Sequence, residues 1–287
     1  MNLDIRFVNK NSEEMNQVRE LYEKTFNDTK EYKEFLFGSI VPDSDTEIIA
    51  GFIDNKLISM MFLRKKKLLS VGQRVKSCLI YGVVTAEDYR NRGYMKRLME
   101  CALSYCGSID IPFLYLIPIN PKIYESMGFV LAREEKIIPL EDIKCQREEY
   151  IVEKVCTDKE QSGGCKRISD FAITVEAANK GITAEKNELY FLRRLEQASV
   201  ENAGIYIIRN KDVSDGMEAI VVTGTAEDDS RIYVTDIICE GEWEDSFKYA
   251  KLVTDMEADI MPFVRLKPIM IYNWINMDLY IKLNEDI

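Results

Sequence analysis

The 287-residue sequence contains no histidine. That absence removes Ser-His-Asp and Cys-His catalysis, His-ligated zinc and imidazole proton shuttling together. Acid–base chemistry is left to carboxylates, Tyr, Lys, Cys or a chain terminus. The seven cysteines are odd in number and contain no Cys-x-x-Cys pair, so neither a disulfide framework nor a metal site is expected. Cys78, Cys101 and Cys106 fall in apolar runs, where a thiol behaves as a small hydrophobe. No apolar run approaches the length of a membrane span, and the opening "MNLDIRFVNK" lacks the charged-then-apolar pattern of a signal peptide. The expectation is a cytoplasmic chain with no membrane partner. Positive charge is also in short supply: 38 Lys and Arg face 49 Asp and Glu, for a net charge of -11. Long-range repulsion of phosphates then argues against nucleic acid as a partner.

An apolar content of 46% supports real cores, and the length suits two domains better than one. Alternation and 3.6-residue periodicity predict a strand at Ile5–Val8, a helix from Ser12 (its N-cap) to Phe26, and a second helix around Tyr32–Ile40. Strands follow at Glu47–Ile53, Leu57–Phe62 and Lys76–Ala86, and "RKKK" at Arg64–Lys67 reads as a solvated hairpin end. After a helix come a buried strand "FLYLIP" (Phe113–Pro118), a short helix "PKIYESM" and "IIPL" at Ile137–Leu140. The chain then turns charged and Gly/Ser-bearing, most clearly in "TDKEQSGGC". This composition divides it into domain 1–145, linker 146–165 and domain 166–287. The second half loosely repeats the plan: helices at Ile168–Asn179 and Glu188–Val200, strands at Gly204–Arg209, Glu218–Thr225 and Arg231–Cys239, a helix at Ser246–Ala258 and a strand at Leu279–Leu283.

One stretch holds most of the chemistry. "VVTAEDYRNRGYMKRLM" (Val83–Met99) opens as an apolar strand, passes through a cationic turn and closes as an amphipathic helix. Gly93 starts that helix, whose inner face carries Met95, Leu98, Met99, Ala102 and Cys106, and Gly107 suits its C-terminal cap. First-turn amides without helical partners, with a dipole equivalent to roughly half a charge, make an anion site there. Gly93 admits the anion close to the backbone, and Arg90, Arg92 and Lys96 add fixed positive charge. The anion that fits is a phosphate or pyrophosphate. Neither a Walker A nor a Rossmann glycine pattern occurs. On the turn alone, a solvated basic loop or a nucleotide-phosphate binder remains an alternative.

The R-x-x-G turn, the strand "FLYLIP" one helix later and "IYESMGF", in this order, resemble the GNAT superfamily of N-acetyltransferases over most of residues 1–140. The fold this implies is α/β with a mixed sheet. The last turn position is usually Gly or Ala in that superfamily and is Met95 here, which resembles the Eis-like branch with its second, degenerate GNAT-like domain. The chain is too short to hold in full the sterol-carrier-like domain that many Eis-like proteins add. The resemblance implies acetyl-CoA as cosubstrate and a small-molecule or peptide amine as acceptor, and it is compatible with a homo-oligomer. It implies that Val83, Val84 and Thr85 offer backbone groups to pantetheine, and that Asn91, Arg92, Gly93, Tyr94, Met95 and Lys96 wrap the pyrophosphate. Ile119 and Asn120 then flank the cofactor, and Tyr124 is the general acid.

Acetyl transfer to an amine also needs a base, and "CLIYGVV" carries no acid. Glu47, Glu87, Asp88 and the carboxylate of Ile287 are the candidates, and the Eis-like branch uses the terminal carboxylate. The corresponding turn of the second half, "EGEWED", gathers acids that would repel a pyrophosphate, so residues 166–287 read as a structural partner. Phe26, Tyr32, Phe35 and Phe37 cluster where an acceptor pocket is expected. A catalytically silent acyl-CoA sensor or interaction scaffold on the same fold is the competing class.

Overall fold

The computed structural model describes residues 2–70, 73–155, 162–178, 182–213, 216–226, 229–241 and 243–273. Two compact units emerge. The first comprises Met1–Leu68, Val75–Arg133 and Pro268–Asp278; the second comprises Leu69–Arg74, Glu134–Lys267 and Leu279–Ile287.

The first unit begins with β1 (Asp4–Phe7), α1 (Glu14–Thr25) and α2 (Lys30–Phe35), the last continuing as one π-helical turn, Leu36–Ile40. A meander follows: β2 (Thr46–Ile53), β3 (Lys56–Ser70) and β4 (Gln73–Thr85). Then come α3 (Tyr94–Ser108), β5 (Phe113–Leu116), α4 (Lys122–Glu125) and β6 (Val130–Arg133). Apolar side chains of α3 (Leu98, Met99, Ala102, Cys106) pack on Ile49, Ile53, Met61, Cys78 and Ile80, as the three-and-four spacing requires.

The second unit contains β7 (Lys136–Pro139), β8 (Tyr150–Lys154), α5 (Ser162–Ala178), β9 (Ile182–Ala184) and α6 (Glu188–Glu201). It continues with β10 (Ile205–Asn210), β11 (Met217–Ala226), β12 (Asp229–Cys239), α7 (Trp243–Met256) and β13 (Ile260–Leu266). The chain then returns to the first unit as β14 (Ile269–Asn273).

The two sheets share a plan. The first runs β1-β2-β3-β4-β5-β14-β6, and the second, six-stranded, runs β8-β10-β11-β12-β13-β7. In each, a strand–helix–strand crossover (β4-α3-β5 and β12-α7-β13) gives the parallel pair. In each, an antiparallel strand from beyond the unit's own crossover lies beside the second member of that pair: β14 on β5, and β7 on β13. The second unit is therefore an architectural repeat without sequence repetition.

Several local expectations change. Ser12 does not cap α1; its hydroxyl donates to the Asn9 carbonyl at 2.7 Å, and the helix enters through Glu13 with no side-chain cap. Gly107 lies inside α3, and Asp110 (φ 55°) takes the left-handed position beyond its end. "RKKK" is no hairpin end: β3 runs through it, with Arg64 buried 3.9 Å from Asp43 and Lys65 3.2 Å from Glu47. The stretch read as a linker carries β8 and the start of α5. The strand expected at Leu279–Leu283 lies outside the described residues.

Candidate active site

The site grows from the end of β4. Parallel pairing of β4 with β5 runs from Ser77 opposite Phe113 to Ile80 opposite Leu116 and stops there. Two residues later Gly82 takes φ 57°, and a Cβ on it would lie 2.5 Å from the Phe62 ring. Only glycine fits a left-handed strand position under such a cover. Past this bulge β4 stays with β3: Ala86 N donates to Ile58 O at 2.8 Å, and the buried Ser59 hydroxyl donates to Val84 O at 2.9 Å. Among the described residues, the side of Val83–Thr85 that would face β5 has no strand partner. Strand alternation directs the Val83 carbonyl and Thr85 N–H into that gap, whereas the Val84 carbonyl is turned toward β3.

The chain then passes through a 3-10 turn, Glu87–Tyr89, into α3. Arg90 Nε donates to Thr85 O at 3.1 Å, which folds the turn back on the strand. Asn91 (φ 60°) and Gly93 (φ 77°) are both left-handed, so the backbone curls and its amides converge. Arg97 supplies the first helical bond, to Gly93 O at 3.2 Å, leaving the N–H groups of Tyr94, Met95 and Lys96 outside the α3 ladder. A Cβ on Gly93 would meet nothing within 4 Å, so the approach to these amides is open. Among the described residues, Arg92 and Lys96 have no carboxylate partner, and both are exposed. The Arg92 guanidinium sits 5.6 Å from the Tyr89 ring centroid, which steadies it without neutralising it. These features make an unoccupied-charge surface suited to a pyrophosphate.

Beyond β5, Ile119 is 89% exposed, and the Asn120 side chain accepts from Lys122 N at 3.1 Å, starting α4. Tyr124 on α4 is half-buried against Phe129 (6.1 Å between centroids), and Phe129 packs on Tyr272 of β14 at 5.4 Å. Gly128 has φ 88°, and a Cβ there would lie 2.9 Å from the Tyr272 ring. The returning strand thus buttresses the Tyr124 helix. Burial pushes the Tyr124 phenol above its ordinary value, so it holds its proton at neutral pH.

The four aromatics of the expected acceptor pocket divide. Phe26 and Phe37 join through Tyr22, at 4.5 and 5.5 Å, to Phe62 and so to the cover of the β4 bulge. Tyr32 and Phe35 form a separate pair at 6.1 Å, with Phe35 buried. Among the candidate bases, Glu47 is out of place. It lies four residues along β2 from Gly51, the partner of Ser59, about 13 Å of strand away, and is tied to Lys65. Glu87 and Asp88 are exposed beside the end of β4. Ile287 lies outside the described residues.

Residue-level reading of the sequence missed Ser59, Phe62 and Asp28. Asp28 accepts the Tyr22 hydroxyl at 2.7 Å and so places a carboxylate on the aromatic row. The signals were present: one serine in "LISMMF", and a glycine inside the apolar run "CLIYGVV".

Residues 4–132 match the family model of the acetyltransferase (GNAT) domain. Residues 4–132 are thus similar to a GNAT acetyltransferase domain. The described residues have the fold of tandem GNAT proteins. A probable N-acyltransferase from Enterococcus faecalis aligns over 97% of this chain and 67% of its own, at TM-score 0.70 and 19% identity. Eis1 from Mycobacterium abscessus aligns over 93% of this chain and 66% of its own, at TM-score 0.57 and 17% identity. A tandem GNAT protein from the clavulanic acid biosynthesis pathway aligns over 96% of this chain and all of its own, at TM-score 0.55 and 9% identity. No curated protein matches the sequence significantly. Among the described residues, the connection after β12 carries Glu240 and Gly241 and no basic side chain, unlike the first unit's turn. Among the described residues, no helix is long and apolar enough to cross a membrane.

Proposed function

We propose that this GNAT protein transfers the acetyl group of acetyl-CoA to the primary amine of a small-molecule or peptide acceptor. The observation that carries the reading is the opening between β4 and β5, which leads to the uncapped, cationic start of α3. A pyrophosphate on the amides of Tyr94, Met95 and Lys96 leaves the pantetheine arm to run along Val83–Thr85, where the Val83 carbonyl and Thr85 N–H complement its amides. Asn91, Arg92 and Gly93 close the turn around the phosphates, with Ile119 and Asn120 on the β5 side.

In this reading the neutral amine attacks the thioester carbonyl, forming the C–N bond and a tetrahedral oxyanion. The C–S bond then breaks, the ammonium proton passes to a base, and the thiolate takes a proton from Tyr124. A phenol held above its ordinary value by burial keeps that proton until the thiolate forms. Glu87 and Asp88 are the described carboxylates beside β4 that could receive the ammonium proton through water. Asp28, at the end of the aromatic row, suits a cationic acceptor, and Phe26 and Phe37 its apolar part.

The test is thiol release from acetyl-CoA in the presence of a panel of primary amines, paired with calorimetric binding of CoA. Amine-dependent thiol release supports the transferase. CoA binding without turnover across the panel makes the protein an acyl-CoA sensor, and ATP or NAD binding without CoA binding makes the turn a general nucleotide site.

A further inference from the structure

The β4 segment assigned to pantetheine is held by one side chain that belongs to neither the turn nor β4. Ser59, on β3, is fully buried, at 0% exposure. Its hydroxyl lies 2.9 Å from the Val84 carbonyl, to which it donates, and 2.8 Å from the Thr85 hydroxyl. Ser59 has a single hydroxyl proton, so with that proton on Val84 the Thr85 hydroxyl is the donor in the second contact. The result is a directed chain: Thr85 O–H to Ser59 O–H to the Val84 carbonyl.

We propose that Ser59 is a positioning residue for cofactor binding: by holding the Val84 carbonyl toward β3, it aims the Thr85 N–H into the gap where pantetheine lies. The inference rests on the CoA reading above. Its mechanics follow from the planarity of the peptide group. In a trans peptide the C=O of one residue and the N–H of the next lie in one plane and point in opposite directions. A carbonyl of Val84 fixed toward β3 therefore fixes the N–H of Thr85 away from β3. Gly82 breaks the strand geometry two residues earlier, and the pairing with β5 ends at Ile80. Beside it, Ala86 N donates to Ile58 O, past the peptide in question. Arg90 holds the Thr85 carbonyl from the other side, which fixes the next peptide plane but not this one.

The position also selects the residue. Gly51 faces Ser59 on β2, and there a Cβ would meet Leu3 and Leu98 at 3.0 Å, so this row of the sheet is tightly packed. A small side chain with one hydroxyl fills the place; alanine fits it and cannot hold the carbonyl.

Ser59→Ala is measured by calorimetry against two ligands: CoA, which uses the gap and the turn, and adenosine 3′-phosphate 5′-diphosphate, the part of CoA without pantetheine, which uses the turn alone. The expected result is a loss of CoA affinity on the order of tenfold, the size of one hydrogen bond to a well-aimed donor. The affinity for adenosine 3′-phosphate 5′-diphosphate stays within twofold, and KM for acetyl-CoA rises more than kcat falls. Equal weakening of both ligands would assign Ser59 to general stability and overturn the proposal, as would unchanged CoA affinity. Should Ser59→Ala fail to fold, Ser59→Cys keeps the shape and a weak donor, and the same selective weakening of CoA is read on it. Wild-type protein that binds neither ligand refutes the CoA reading itself, a result distinct from any of these.

Discussion

Gly82→Ala places one methyl group where the β4 bulge has no room for it. Two costs add. The backbone at φ 57° lies in the left-handed region, which costs an L-residue with a Cβ roughly 1–2 kcal/mol. The new Cβ would also sit 2.5 and 2.7 Å from two carbons of the Phe62 ring. That ring is fully buried, with Tyr81 at 4.9 Å and Tyr22 at 6.0 Å between centroids, so it cannot swing aside freely. Overpacking of this kind costs about 1–3 kcal/mol. The expected destabilisation is therefore about 2–5 kcal/mol, read from urea unfolding followed by far-UV circular dichroism. Phe62→Leu removes the ring edge, so Gly82→Ala/Phe62→Leu should lose about 1–3 kcal/mol less than the sum of the single variants. Gly93→Ala is the control: φ is 77°, but nothing lies within 4 Å of its Cβ, so only the backbone cost of about 1–2 kcal/mol applies and Phe62 has no influence. Additivity of Gly82→Ala and Phe62→Leu within about 0.5 kcal/mol would refute the close approach of ring and bulge.

Gly93→Asp sets a carboxylate at the mouth of the amide cluster, and calorimetry should show CoA affinity falling at least tenfold in a folded protein; unchanged affinity removes the pyrophosphate from this turn. Tyr124→Phe keeps the packing on Phe129 and deletes the hydroxyl, so kcat should drop by about 10²–10⁴-fold with little change in acetyl-CoA binding, whereas a kcat within twofold of wild type makes the hydroxyl a bystander. In the second unit, Lys186 is buried 2.9 Å from Glu176 and 3.3 Å from Asp236, and Lys186→Met should cost about 3–5 kcal/mol by leaving two buried acids without their cation. Desolvation opposes the charge on Lys186, but Asp236 and Glu176 overcome it and raise its value, so the stabilisation is full below about pH 10.4 and is lost as pH rises through the folded value. Stability curves of wild type and the Met variant that run parallel between pH 8 and 10, several kcal/mol apart, agree with this, and a Met variant of unchanged stability contradicts it.

Local pattern made much of the first unit readable. The spacing of Leu98, Met99, Ala102 and Cys106 is a helix facing a sheet, and the apolar run around Cys78–Ile80 is a strand covered on both faces. Gly93 at the head of α3 was legible because a glycine between a strand and an amphipathic helix has few other uses. Where the reading failed, the cause was distant. β14 lies in "KPIMIYN" shortly after Pro268, and nothing local distinguishes it from a loop; its partners Tyr115 and Leu116 stand more than 150 residues earlier. Ser12 looked like a cap because its residue type favours that place, but the Asn9 carbonyl captured its hydroxyl first. Ser59 has no motif at all. Its role exists only once Val84 has been bent away from β5 by a glycine on another strand.

The interleaved strand order has a consequence for how the molecule is made. A ribosome delivers β1 through β6 first, yet the place between β5 and β6 is filled by β14, which emerges only after residues 134–267. At ordinary rates of synthesis that interval is on the order of 10 s, far longer than helices and hairpins need to form. During it the unpaired edge of β5, "FLYL", and the β6 residues Val130 and Leu131 await a strand not yet translated. The first-made half therefore completes its sheet last, and Tyr124 gains its support from Tyr272 only when that strand has docked. A nascent chain truncated anywhere before Ile269 should hold an open sheet, with Tyr124 lacking the packing that Tyr272 supplies through Phe129.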